Sequence, residues 1–272
     1  MTAPTIYEQL RDLIRSEQPV GLCTVIEGPH VGAKLLIRPD QRAQGSLGDA
    51  ELYRCVGRDA LAELEAGSSG VRHYGPQGQT TPEDLIDTDT VSVFVESFAP
   101  PPQMWIFGAV DFTALLAKVA KVLGYRVTVC DAREVFATRR RFPMADEVLV
   151  SWPMPLFTQR GHELGQRDAV CILTHDPKFD VPAVMGAVGS RVGYIGVMGS
   201  RKTHAKRMDR LAEAGLTEAV QVDRLMSPIG LDIGARTPEE TAISICAEII
   251  ARRTGRATPS LRDGSGAIHS AS

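Results

Sequence analysis

From Met104 onward, short apolar runs alternate with amphipathic stretches, and this alternation leaves little choice of fold. Met104–Phe107 precedes a predicted helix over about Phe112–Leu123, and Arg126–Cys130 precedes a turn at Asp131. Glu147–Ser151 precedes a helix-like Pro155–Leu164. Ala169–Leu173 precedes Val181–Val188, and Val192–Ile195 precedes His204–Ala214. The strand-like runs are continuously apolar, which is what a sheet covered on both faces requires. Their alternation with helices implies parallel strands joined by right-handed crossovers. The expected fold class is α/β, a doubly wound parallel sheet with a ligand crevice outside the carboxyl ends of its strands.

Ala99-Pro100-Pro101-Pro102-Gln103 marks the expected boundary before this unit, because consecutive prolines lack backbone donors and favour extended geometry. The preceding part reads as a smaller α+β domain. A helix is predicted over Thr5–Ser16, with Ile6, Leu10, Leu13 and Ile14 on one side, and strands over Val20–Glu27 and Lys34–Ile37. Gln44–Asp49 reads as a loop, followed by a helix over Ala50–Ala66 that Gly67 ends and a half-buried strand over Val91–Phe98. The expected domains are 1–99 and 103–255, with 256–272 a polar tail that frays.

Thirty Lys and Arg against 33 Asp and Glu give a net charge of −3, which excludes nucleic-acid binding by bulk positive charge. No apolar run approaches the roughly 20 residues of a membrane span. The N-terminus lacks the basic and apolar segments of a secretory signal. The five cysteines, Cys23, Cys55, Cys130, Cys171 and Cys246, are scattered and never form Cys-x-x-Cys, against both a disulfide framework and a structural zinc site. A reduced, cytoplasmic protein is expected, with its cysteines in the core.

The first strand–turn–helix reads Phe107-Gly108-Ala109-Val110-Asp111-Phe112-Thr113, where a Rossmann fold holds a pyrophosphate with G-x-G-x-x-G. Only Gly108 matches. Val110 places a Cβ where the second glycine lets phosphate approach, and Asp111 is expected to cap the helix. A phosphate ~4 Å from that carboxylate would meet about 4 kcal/mol of repulsion at an effective dielectric near 20. Asp131, ending the second strand, stands where a ribose-binding acid belongs. The scaffold is therefore Rossmann-like, with ordinary NAD binding disfavoured.

Gly196-Val197-Met198-Gly199-Ser200-Arg201-Lys202 follows a strand and opens a helix. Residues 201–210 carry five Lys or Arg against one acid, Asp209. Cations at a helix start oppose its dipole, so an external anion is expected there, on Gly196, Gly199, Ser200, Arg201 and Lys202; a solvated basic face is the alternative. Thr174, His175 and Asp176 lie past another strand at the same edge, suited to proton transfer or to a structural loop. In Ser227–Arg236, Gly230, Asp232 and Gly234 form a turn that either meets a ligand or is purely structural. Ile229, Leu231 and Ile233 in that turn are expected to be buried. Thr237-Pro238-Glu239-Glu240 starts a helix.

Tyr194–Lys202, Ser227–Ala235 and Thr237–Glu240 closely resemble the C-terminal domain of the XdhC/CoxI family, accessory proteins of molybdenum hydroxylases such as xanthine dehydrogenase and carbon monoxide dehydrogenase. The likeness extends through Leu173–Lys178. Gly32-Ala33-Lys34 and Gly45-Ser46-Leu47-Gly48 resemble the family's first domain. The resemblance implies a maturation factor without turnover of its own. Such a factor binds molybdenum cofactor, as molybdopterin or its dinucleotide form, while the terminal sulfur is installed, and delivers it to an apo-hydroxylase. The chain departs from the family at Gly108–Thr113, where the family often has Gly-Ala-Gly-His-Val-Gly, and at Gly48-Asp49-Ala50, where it often has Gly-Gly-Cys. Sulfur is therefore expected from a partner of the cysteine desulfurase type. An NAD(P)-dependent oxidoreductase and a non-catalytic scaffold are the alternatives, and monomer and homodimer are both open.

Overall fold

The computed structural model describes residues 4–258; most of the expected tail, 259–272, lies outside the described residues. The described chain forms two compact units that meet in sequence at Pro100 and Pro101.

In the first unit, α1 (Ile6–Arg15) is followed by β1 (Val20–Glu27), β2 (Lys34–Arg38), β3 (Gln41–Ser46), α2 (Ala50–Ala66), β4 (Gly70–Tyr74) and β5 (Val91–Phe98). The strands form one antiparallel sheet in the order β3-β2-β1-β5-β4. Alternate side chains feed opposite faces. Val25, Leu35, Ile37, Val93 and Val95 pack with Leu52, Val56 and Ala60 of α2. Val20, Leu22 and Leu36 meet Ile6, Leu10 and Leu13 of α1. Thr5 and Glu8 form a capping box at α1. Gly67 closes α2 in the left-handed region at φ 68°. Two strands were not expected. β3 occupies much of the predicted loop at Gln44–Asp49, and it carries no apolar alternation because it is an exposed edge strand. β4 is equally short of apolar side chains, with only Tyr74 buried. Ile14 is 41% exposed rather than packed with the other apolar residues of α1.

The second unit contains β6 (Gln103–Phe107), α3 (Asp111–Val122), β7 (Arg126–Asp131), β8 (Glu147–Val150), α4 (Pro153–Arg160), β9 (Ala169–Ile172) and α5 (Pro177–Val188). It continues with β10 (Tyr194–Val197), α6 (Arg201–Glu213), α7 (Ala219–Val222), β11 (Leu225–Met226) and α8 (Pro238–Thr254). Its six strands are all parallel, in the order β11-β10-β9-β6-β7-β8. Counted within the unit this is 3-2-1-4-5-6 read from the β8 end, the doubly wound dinucleotide-fold order. Both faces are covered. Met104 and Ile106 point into a core with Leu116, Ala242 and Ile245 from α3 and α8. Trp105 and Phe107 point the other way, toward Phe157, Phe179, Val184 and Leu211 from α4, α5 and α6. Each such side chain contributes about 1.5–3 kcal/mol on full burial. The topology reverses direction between β6 and β9, so their carboxyl ends diverge and leave a crevice.

Candidate functional site

The β6–α3 turn is built for close packing of the chain on itself. Gly108 has φ 113°, and a Cβ there would lie 2.4 Å from Cγ2 of Thr174, just past β9. The sequence reading of Asp111 as a helix cap is corrected: α3 begins one residue earlier than expected, and Val110 is its N-cap. At the first helical position the Asp111 carboxylate cannot fold over the free N–H groups. It is 94% exposed, 3.5 Å from Nη2 of Arg141. Thr113 closes the turn in its place, its Oγ1 accepting from the Val110 N–H at 3.3 Å and donating to the Gly108 carbonyl at 2.5 Å.

Asp131 ends β7 with its side chain 3% exposed. Its Oδ2 accepts from the Ala109 N–H at 2.7 Å and from Nη2 of Arg133 at 2.8 Å. Its Oδ1 accepts from the N–H and Nε of Arg133, both at 2.9 Å. Burial pushes this carboxyl upward, but the Arg133 guanidinium and the two amides outweigh it and hold it below the usual carboxylate range. The face of Arg133 lies over the Phe136 ring at 4.5 Å.

Past β9, Thr174 is buried while His175 and Asp176 are exposed. Asp176 caps α5, accepting from the Lys178 N–H at 3.0 Å. Thr174 donates its hydroxyl to Asp180 of α5. Asp180 in turn faces Arg207 of α6 at 3.3 Å. Arg207 also donates to the Met198 carbonyl at 2.8 Å and to Ser227 Oγ at 3.3 Å. Burial pushes Asp180 up to about 7, more than Arg207 offsets. This corrects the reading of residues 201–210 as one basic face: Arg201, Lys202, Lys206 and Arg210 are exposed, whereas Arg207 is turned inward.

Ser200 caps α6, accepting from the Thr203 N–H at 3.1 Å, and Arg201 and Lys202 follow. Gly196 lies inside β10, where a Cβ would meet Ile229 Cδ1 at 2.4 Å, so its smallness serves packing. Gly199 (φ 148°) sits over the Thr203 side chain. Gly230 is pinned to α8: its N–H donates to Glu248 Oε2 at 2.9 Å, and a Cβ there would meet Ser244 Oγ at 2.5 Å. Asp232 and Gly234 are exposed. Ile233, expected to be buried, is 53% exposed, because the loop leaves α8 after Leu231.

A cleft of about 440 Å³ opens at the carboxyl ends of the central strands, within the volume range of small-molecule sites. Val110, Phe112, Trp152, Leu173, Phe179 and Met198 form its apolar wall. Asp111, Asp131, Arg133, Thr174, His175 and Asp176 supply its polar groups. The structure thus brings Asp131, Thr174, His175 and Asp176 together, with Gly108 in the adjoining turn. Gly196, Gly199, Ser200, Arg201, Lys202, Gly230, Asp232 and Gly234 are not among the lining residues. Sequence reasoning missed Arg133, Trp152 and Phe179. Trp152 was open to inference, since it directly follows the expected strand Glu147–Ser151 at the carboxyl edge; Trp152 and Phe179 stand with ring centroids 5.8 Å apart.

All five cysteines are buried and none lines the cleft. Burial pushes the thiols of Cys23, Cys130 and Cys246 up to about 12. Among the described residues, no cluster of His, Cys, Asp or Glu is placed to hold a metal ion. No helix among them is long and apolar enough to cross a membrane.

Residues 104–249 match the XdhC Rossmann domain, and residues 13–75 match the XdhC and CoxI family. A probable subunit of the xanthine dehydrogenase of Bacillus subtilis is 32% identical over 164 residues, covering 60% of this chain and 47% of that protein. The molybdenum cofactor insertion chaperone PaoD of Escherichia coli is 31% identical over 85 residues, covering 31% of this chain and 26% of that protein. The chain spans less than half the length of the curated relatives it matches. The crystal structure of a xanthine dehydrogenase from Bacillus halodurans shares the fold, with a TM-score of 0.53 and 23% identity over 93% of this chain and 97% of that one. With more than half of its length matched by the XdhC Rossmann domain, the chain belongs to the XdhC/CoxI family.

Proposed function

We propose that this protein binds molybdenum cofactor as cargo and assists its sulfuration and insertion into a molybdenum hydroxylase of the xanthine or carbon monoxide dehydrogenase type. The cleft at the β6–β9 divergence carries this reading. A pterin is a flat heteroaromatic bearing an anionic phosphate, and the cleft joins an aromatic wall, Trp152 and Phe179, to the guanidinium of Arg133. Arg201 and Lys202 begin α6 just beyond the cleft-lining Met198 and supply further cations for the phosphate. Gly199 and Ser200 shape that approach, while Gly230, Asp232 and Gly234 form the neighbouring loop.

The chain's part is to bind, orient and shield. All five thiols are buried, and burial holds those of Cys23, Cys130, Cys171 and Cys246 far from the thiolate form, so the sulfur comes from a partner of the cysteine desulfurase type rather than from this chain. The names borne by the relatives, one a cofactor insertion chaperone and the other part of a xanthine dehydrogenase, support the same role.

The test is to mix the purified chain with molybdenum cofactor released from a hydroxylase, separate free from bound pterin, and read the pterin by its fluorescence after oxidation. The loaded chain is then added to an apo-hydroxylase. Retention of pterin followed by activation of the apo-enzyme is expected. Retention of NAD(P) in preference to pterin would instead establish the oxidoreductase alternative, and retention of neither would leave a scaffold.

A further inference from the structure

A dinucleotide on a doubly wound sheet needs two things from the first two strands. Amides of the first turn must be free to meet the pyrophosphate, and the acid ending the second strand must be free to accept from a ribose hydroxyl. Here the chain connects these two groups to each other. The Asp131 carboxylate takes the Ala109 N–H at 2.7 Å, so an internal anion already sits on the turn. The neighbouring amides are engaged as well: Gly108 donates to the Cys130 carbonyl at 2.8 Å and Val110 to Thr113 Oγ1 at 3.3 Å. The ribose position is closed by the same residue. Each Asp131 oxygen accepts twice, from Ala109 and Arg133 Nη2 on one side and from the Arg133 N–H and Nε on the other. A carboxylate so engaged has no lone pair left for a hydroxyl. The Val110 side chain lines the cleft at the position where a glycine would admit phosphate.

Arg133 does more than close Asp131. Its Nε and an Nη2 hydrogen are directed to the carboxylate, which leaves the Nη1 group of a half-exposed guanidinium, at the cleft wall, for a ligand. A terminal phosphate monoester can use that edge without entering the turn. A pyrophosphate extended by a nucleoside has to displace Asp131 from Ala109 or Arg133 from Asp131.

We infer that the Asp131–Arg133 pair makes this cleft selective for a pterin bearing a single terminal phosphate, against its dinucleotide form and against NAD(P), with Arg133 the specificity-determining residue. The inference rests on the cargo reading above and adds which form of the cargo is taken.

The full chain, Arg133→Ala and Arg133→Lys are each titrated with the single-phosphate form of molybdenum cofactor, with its cytosine dinucleotide form, and with NAD+. The unsubstituted chain is expected to favour the single-phosphate form by at least about tenfold. Arg133→Ala frees the two Asp131 acceptor positions held by Nε and Nη2 while leaving the Ala109 amide and the backbone N–H of residue 133 in place, so the preference should collapse, in part through a gain in dinucleotide affinity that loss of structure cannot produce. Arg133→Lys keeps the charge without the paired donors and should fall between. Equal affinity for the two pterin forms, a preference for the dinucleotide, or an unchanged preference in Arg133→Ala would overturn the selectivity while leaving the cargo reading standing. Failure of the unsubstituted chain to bind either pterin form would overturn the cargo reading itself.

Discussion

Arg207 of α6 and Asp180 of α5 meet at 3.3 Å with side chains 4% and 5% exposed, directly behind the cleft. The pair ties α5 and α6 to the loops that follow β9 and β10, because Thr174 donates to Asp180 and Arg207 donates to the Met198 carbonyl. Both Thr174 and Met198 line the cleft. Removing the cation strands a buried carboxyl and two further acceptors. Arg207→Met is expected to cost about 3–5 kcal/mol, the range for breaking a buried pair from one side. Urea unfolding measures this, and adding Asp180→Asn to Arg207→Met should recover part of the loss. A loss below about 1 kcal/mol would show that the pair does not hold the fold.

The same carboxyl gives the protein a pH signature. Asp180 is raised from 3.8 to about 7 because burial disfavours its charged form more than Arg207 supports it. In the window between those values the folded state holds a proton that the unfolded chain has lost. Stability from this group is therefore full below about 4 and declines as pH rises toward about 7. Unfolding free energies from pH 4 to 8 should show this decline in the unsubstituted chain and a flatter profile in Asp180→Asn. Profiles that superimpose would place the Asp180 pKa near its ordinary value.

The cysteines give a third expectation. Cys23, Cys130 and Cys246 are pushed up to about 12 by burial, and Cys171 lies well above its ordinary value for the same reason. Thiolate is the reactive form, so these thiols should resist a disulfide reagent at pH 8 until the chain unfolds. Labelling in denaturant should be rapid and complete. A native thiol among these four that reacts at once would make this chain a candidate carrier of the sulfur that the proposed function draws from a partner.

The legible part of the fold was the part with a strong hydrophobic pattern. β6, β7 and β9 read correctly because continuous apolar runs have few other uses, and α8 because Thr237, Pro238 and Glu240 spell its start. β3, β4 and β11 went unread because edge strands carry mixed or very short patterns that only their neighbours stabilise. At the site, the carboxyl-edge rule located Asp131 and Thr174–Asp176. It could not reveal that Asp131 turns back on Ala109, since a hydrogen bond across two loops leaves no local signal. Charge counting grouped Arg207 with Arg201, and only the tertiary fold sends one inward and leaves the other in solvent.

That contrast within one helix supplies the last prediction. Arg201 occupies the first position of α6, is exposed, and makes no hydrogen bond or ion pair among the described residues. The first turn of α6 contains no acid, so the cation faces the positive end of the helix dipole with no local compensation. An external phosphate would compensate it, and a guanidinium grips phosphate through two parallel hydrogen bonds. Arg201→Ala is therefore expected to leave the melting temperature unchanged or slightly raised while weakening pterin binding by at least about tenfold. Arg201→Lys should restore the charge and only part of the affinity, because an ammonium cannot reproduce the paired contact. The measurement is a thermal melt beside a pterin titration, with Arg207→Met run in parallel as the variant that loses stability. If Arg201→Ala melts markedly lower and binds pterin normally, Arg201 is a structural residue like Arg207, and the basic start of α6 is no part of the site.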